Sequence, residues 1–350
     1  MRRSASRSRR RLPIVAGLGV LAVLAGACGP AGAQGAITLY GIADAALEWS
    51  DADAKRAFEG AGSDASGGAR MISGQPGNAK GSRLGLRGAE DLGGGLAAIF
   101  AIEHRLGLDS GEQANPAFWN GQAWVGLEGD WGRLTAGRQY TPMFTAMIAV
   151  DASSDQWYGT LVNSARYATR FDNSVEYRTP ARNGLRAIVM LASDENLPDA
   201  RDQYAIAALW ASPSLTVSAA WQRLDAAGAS GATIQSSAGL AWRLGPHQLG
   251  AGWMANDPAG GGQRVDHPYL SLRVAVGRGN VYANVVGSRF EAGGKDALMV
   301  ALAWDWPLSR RTRLYVAGAL DANVRLAGTL AGTVAYLDPN RYALGIRHDF

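Results

Sequence analysis

From Ala36 to Phe350 apolar residues recur almost everywhere at every second position, and no stretch offers a convincing amphipathic helix. Over 233–244, Ile234, Ala238, Leu240, Trp242 and Leu244 fall on one face and Thr233, Gln235, Ser237 and Arg243 on the other. Over 297–306, Leu298, Val300, Leu302, Trp304 and Trp306 alternate with Met299, Ala301, Ala303 and Asp305. A period of two puts successive side chains on opposite sides of an extended strand, so this chain is confined to all-β architectures with two unlike faces.

Punctuation between the runs narrows the choice. Tight turns such as Asp91-Leu92-Gly93-Gly94, Gly129-Asp130-Trp131-Gly132, Ser212-Pro213-Ser214, Gly245-Pro246 and Pro307-Leu308-Ser309 alternate with longer polar loops at roughly 50–80, 106–117, 141–163, 194–200, 225–232, 257–264, 290–295 and 323–340. Short turns at one rim and long loops at the other fit a transmembrane β-barrel. The expected strands are 36–49, 81–89, 94–105, 118–128, 133–140, 164–178, 184–193, 201–211, 214–224, 233–244, 247–256, 265–276, 279–289, 296–306, 312–322 and 341–350. Sixteen antiparallel strands enclose an aqueous channel, whereas eight would be filled by side chains. A soluble sandwich or solenoid would also alternate, but it rarely sets Trp at strand ends, where Trp119, Trp131, Trp210, Trp242, Trp304 and Trp306 stand. Such positions suit aromatic girdles at membrane interfaces. In hydrocarbon the sheet cannot keep a free edge, so the last strand must pair with the first. No linker or composition break divides 34–350, which reads as one domain.

The formal charge of +4 misleads. Arg2, Arg3, Arg7, Arg9, Arg10 and Arg11 lie in 1–33, which holds no acid; without that segment the acids are in slight excess. The basic start, the apolar stretch Leu12–Ala27 and Ala31-Gly32-Ala33 have the form of an export signal cleaved before Gln34. The single Cys, Cys28, excludes a disulfide scaffold and a multi-cysteine metal site. His104, His247, His267 and His348 show no metal-ligand spacing, and no Ser-His-Asp spacing singles out a hydrolase. Once the Arg tract is assigned to export, nothing points to nucleic acid.

Several motifs together carry a resemblance. They are Thr38-Leu39-Tyr40-Gly41 with Asp44, Ser82-Arg83-Leu84-Gly85-Leu86-Arg87-Gly88 with Glu90-Asp91-Leu92-Gly93-Gly94-Gly95-Leu96 and Glu103, Ala123-Trp124-Val125-Gly126-Leu127 with Gly137-Arg138-Gln139-Tyr140, Asn173-Ser174-Val175-Glu176-Tyr177, and the ending Leu344-Gly345-Ile346-Arg347-His348-Asp349-Phe350. Over nearly all of 34–350 the chain resembles the general porins of Gram-negative outer membranes, particularly the β-proteobacterial branch. The resemblance implies a homotrimer of sixteen-stranded barrels in outer-membrane lipid, each a water-filled pore for passive diffusion of small hydrophilic solutes and ions. It implies neither enzyme activity nor a cofactor or metal. The third long loop, roughly 141–163, would fold into the lumen and narrow it. The terminal Phe350, with Ile346, Leu344 and Tyr342 alternating before it, is similar to the signal read by the barrel-insertion machinery.

Selectivity in such a pore is set by charged side chains in a narrow wet passage. Arg83 matches the family's wall arginine, and period two then turns Arg87 inward. The same parity joins Glu103 to Arg105 on the third strand; Arg138 closes the fifth, and Arg166 and Arg170 follow the long loop, whose Asp151 and Asp155 are the expected facing acids. One departure stands out: relatives carry an Arg where this chain has Gly121, which makes the basic wall one charge lighter and the expected anion preference weak. The competing function is a barrel acting as adhesin, receptor or structural tether, which gains if 141–163 lies outside the lumen.

Overall fold

The computed structural model describes residues 35–54, 67–113, 116–154, 156–165, 167–193, 202–225, 231–291, 293, 295–325 and 336–350. The expected export segment, Asp155 and Arg166 lie outside the described residues.

Alternation appears here inside out. On the strand Ala297–Pro307, Leu298, Val300, Leu302, Trp304 and Trp306 are exposed while Ala301, Ala303 and Asp305 are buried. Water would penalise so wide an apolar surface, but a bilayer requires it. Trp131, Trp210, Trp242, Trp304 and Trp306 are all exposed near the short-turn rim, and Trp49, Trp221, Tyr204 and Tyr342 are exposed toward the long-loop rim. Two aromatic belts therefore bracket the apolar band.

Each barrel strand pairs antiparallel with its neighbours, and the sheet closes into sixteen staves. Closure joins β1 (Ala36–Ser50) to the last strand (Asn340–Asp349) in the register Ile42↔Asp349. Gly41 and Phe350 exchange backbone hydrogen bonds of 3.0 and 3.1 Å at that seam. The second stave is split. β2 (Gly68–Ile72) and β3 (Arg83–Gly93) both pair with β1, and residues 73–82 leave the wall between them. Sequence periodicity places all of 50–80 in a loop, because five residues are too few to show a period. It also starts two strands early. The strand expected at 164–178 starts at Arg170, after a helical turn, and that expected at 118–128 starts at Gln122.

The third long loop lies inside the barrel. Its helix α1 (Pro142–Val150) starts where the Thr141 side chain accepts a bond from the Phe144 amide, with Pro142 in the first turn. Met143, Ala146, Met147 and Val150 recur at helical spacing and are buried, the first three against inward Ala207 and Ala220. A second turn, α2 (Leu161–Ser164), is capped by Thr160. Periodicity misses α1 because eight of its nine residues are apolar and cover both faces, and only the Thr-Pro start marks it.

Candidate functional site

The inner wall has two unlike parts. Where the loop lies against it, small inward residues make room. A Cβ on Gly250 would stand 2.2 Å from the Val150 carbonyl oxygen and 2.4 Å from the Ser271 hydroxyl, and one on Gly239 would meet Val150 at 2.7 Å. The glycines are thus required for the backbone to approach this closely. Ser218 donates to the Ala146 carbonyl at 2.8 Å, and the Ala152 amide donates to Ser271 at 2.9 Å. Farther along, Trp157 and Tyr158 are fully buried among Tyr282, Tyr315 and the inward alanines 301, 303, 317, 319 and 343. The Tyr158 hydroxyl donates to the buried carboxylate of Glu48.

The excursion 73–82 clamps the same loop. The Trp157 amide donates to the Asn78 carbonyl at 3.2 Å, and the Lys80 ammonium donates to the Ser154 carbonyl. Buried Asp44 fixes the excursion by accepting from the Asn78 amide group, the Lys80 amide and the Tyr315 hydroxyl. Only a fully partnered carboxylate can stay buried at low cost.

The rest of the wall is bare and cationic. Arg83 begins β3, and the exposure of Leu84 to lipid turns Arg83 and Arg87 inward. On β4 (Leu96–Arg105), Glu103 and Arg105 share the inner face. Arg83 and Arg105 are directly opposite across the two strands, and both contact Glu103, at 3.5 and 3.1 Å. Glu103 also accepts from the Tyr40 hydroxyl at 3.3 Å and is 2% exposed. Arg87 lies 5.4 Å from the Tyr40 ring, a cation–π distance. The Tyr140 hydroxyl receives bonds from Arg105 and Arg170, the latter at 2.7 Å, and its ring stacks on Phe144 of α1. Tyr140 therefore couples the arginine cluster to the loop.

Arg83, Arg87, Glu103, Arg105 and Arg170 are thus brought together, and two other candidates are not. A bulge between Gly137 and Gln139 leaves Arg138 bound to the Asn120 carbonyl and the Asp172 carboxylate, apart from the cluster. Asp151 is 1% exposed and is held by the Ser153 amide and hydroxyl and by the Tyr269 hydroxyl, so it ties the loop to the wall. Gly121 leaves no room for a side chain, since its Cβ would stand 2.5 Å from a Glu103 carboxylate oxygen. Sequence reasoning misses Tyr40 and Tyr140 as site members, although both sit in its motifs. Nor does it single out Arg133 and Arg178, a second opposed pair that shares Glu176. The signal is the repeated Glu-x-Arg spacing of Glu103–Arg105 and Glu176–Arg178. Among the described residues no group of three or more His, Cys, Asp or Glu could hold a metal ion.

Outward, Tyr342, Leu344, Ile346 and Phe350 are all exposed on the lipid side of the closing stave.

Comparison with known proteins agrees with this architecture. The chain is 36% identical over 190 residues to an outer membrane porin protein of Bordetella pertussis, covering 51% of this chain and 48% of that one. It is 34% identical over 184 residues to outer membrane porin protein 32 of Delftia acidovorans, covering 50% and 48%. These matches span about half the length of the curated relatives. Among solved structures, an anion-selective porin from Comamonas acidovorans superposes with a TM-score of 0.74 at 24% identity, over 91% of this chain and 100% of that one. A loop-deletion form of OmpT from Vibrio cholerae gives 0.65 at 15% identity, over 90% and 99%. A closed sixteen-stave barrel with an inward third loop and a cationic wall accords with the family model for Gram-negative porins, which matches residues 20–325, and the chain belongs to that family.

Proposed function

We propose that this outer-membrane protein of a Gram-negative bacterium forms a water-filled channel for passive diffusion of small hydrophilic solutes and ions, with a weak preference for anions, and that it is not an enzyme. The observation that carries the preference is the sharing of acids on the bare wall. Glu103 and Glu176, each 2% exposed, are each covered by two arginines, so at these two places a passing ion meets guanidinium rather than carboxylate. Fixed charge at a narrow wet passage selects by sign. Arg83, Arg87, Arg105 and Arg170 form the constriction wall, opposite the loop. Arg keeps its charge at any working pH, so the preference is constant across ordinary pH.

The loop's position inside the barrel favours a channel over the tether reading, which needed that loop outside. A homotrimer, with Phe350 and its alternating partners as the assembly signal read by the insertion machinery, completes the proposal.

Reversal potentials in planar bilayers under a salt gradient test it. The expected result is stepwise conductance with anion preference, shifted toward cations by Arg83→Glu. A cation-selective wild type, or an unchanged potential in Arg83→Glu, overturns the assignment of the wall.

A further inference from the structure

We propose a second anion site on the lumen wall at the short-turn rim, formed by Arg133 and Arg178 around Glu176. Arg133 opens its strand just after the turn at Gly129–Gly132, and Arg178 ends the next strand, directly opposite. Both reach the same oxygen of Glu176, at 3.4 and 3.0 Å. The Nε groups of both arginines are buried with no hydrogen-bond partner. Arg186 lies on the inner face of the neighbouring strand with buried Ile188, the residue paired with Arg178.

Arg133 and Arg178 share a single oxygen of Glu176, and among the described residues Glu128, opposite Arg133 on the inner face, makes no ion pair with either, so terminal N–H donors of both guanidiniums remain for a ligand. Trp124 fixes one side: the Arg133 guanidinium lies 5.5 Å from its ring, and the indole N–H is held by Gln122 at 3.1 Å. A planar fork of donors suits an oxyanion, carboxylate or phosphate, better than a halide. The cluster faces the lumen, so its ligand is a free solute rather than a lipid headgroup.

Seven residues of strand separate Arg133 from Tyr140, which places the site roughly 23 Å from the constriction cluster. The role rests on the channel reading: an anion leaving the upper pair would find a second station before the exit, and successive weak sites let an ion both enter and leave.

Calorimetric titration of inorganic phosphate into the detergent-purified full chain tests the site without conduction. Arg133→Gln with Arg178→Gln is expected to weaken phosphate binding about tenfold, the scale of one lost charge-assisted hydrogen bond, while Arg83→Gln retains this site. Arg178→Lys, which keeps the charge and loses the fork, is read the same way if the double variant does not fold. Phosphate affinity unchanged in Arg178→Lys and in the double variant, or no phosphate binding by the wild type, overturns the proposal. A parallel chloride conductance recording separates the two readings. Phosphate binding without conductance would leave the site standing and remove the channel.

Discussion

The two parts of the lumen wall share one backbone and one alternation, yet they hold opposite inner residues. Under the loop, from the strand Leu185–Ala192 round to β1, small inward residues such as Ala205, Ala207, Ser218, Gly239, Gly250, Ala301 and Ala317 let the loop approach, beside packed Tyr269, Tyr282 and Tyr315. On the bare side inward positions carry Arg83, Arg87, Arg105, Arg133 and Arg178. The difference follows from what each part must touch. Protein packed against a wall needs small side chains and close approach. A wall facing water keeps long charged chains solvated at their heads. The barrel is thus half a packed core and half a lined conduit.

Removing a shared acid should break the comparison hardest. Glu103→Gln leaves Arg83 and Arg105 opposed with no carboxylate between them, and loss of one partner of a buried ion pair costs ~3–5 kcal/mol. Thermal unfolding followed by heat-modifiable gel migration should show a clear fall, partly recovered in Arg83→Gln/Glu103→Gln. A smaller effect is expected on the packed side. Tyr158→Phe removes the hydroxyl that donates to buried Glu48, and a hydrogen bond to a charged group is worth ~1.5–3 kcal/mol. The same melting assay reads it, with ion selectivity unchanged because the bare wall is untouched. Gly250→Val sharpens the contrast further. Its Cβ would overlap the Val150 carbonyl and cost ~1–3 kcal/mol in overpacking. The loop should be pushed toward the arginines, and single-channel recordings should show lower conductance. Leu249→Val, on the lipid side of the same strand, should leave conductance as it was.

Strand number, strand direction and the closing pair were legible, because alternation and turn chemistry are local signals that repeat sixteen times. Which charges meet was only half legible. Parity placed Arg83 with Arg87 and Glu103 with Arg105, but parity fails at a bulge, and Arg138 sits at one. The role of Asp151 depended on Tyr269, a partner more than a hundred residues away that no spacing rule connects. The inward excursion 73–82 was invisible for the same reason, since Asp44 and Tyr315 define it only once the ring is closed.

Pairing Ile42 with Asp349 also governs how the molecule comes to exist. Every other stave joins a near neighbour in the chain, whereas this seam links residues separated by nearly the whole sequence. Closure entropy grows only slowly with span, so the seam adds little to the equilibrium cost. Its burden is kinetic, because contacts so distant in sequence form late and slowly. Until they form, both outer staves present unpaired backbone edges that could capture another chain. Side-by-side pairing of unfinished chains is therefore the chief hazard of this fold, and a helper that shields one edge until the other arrives would meet it.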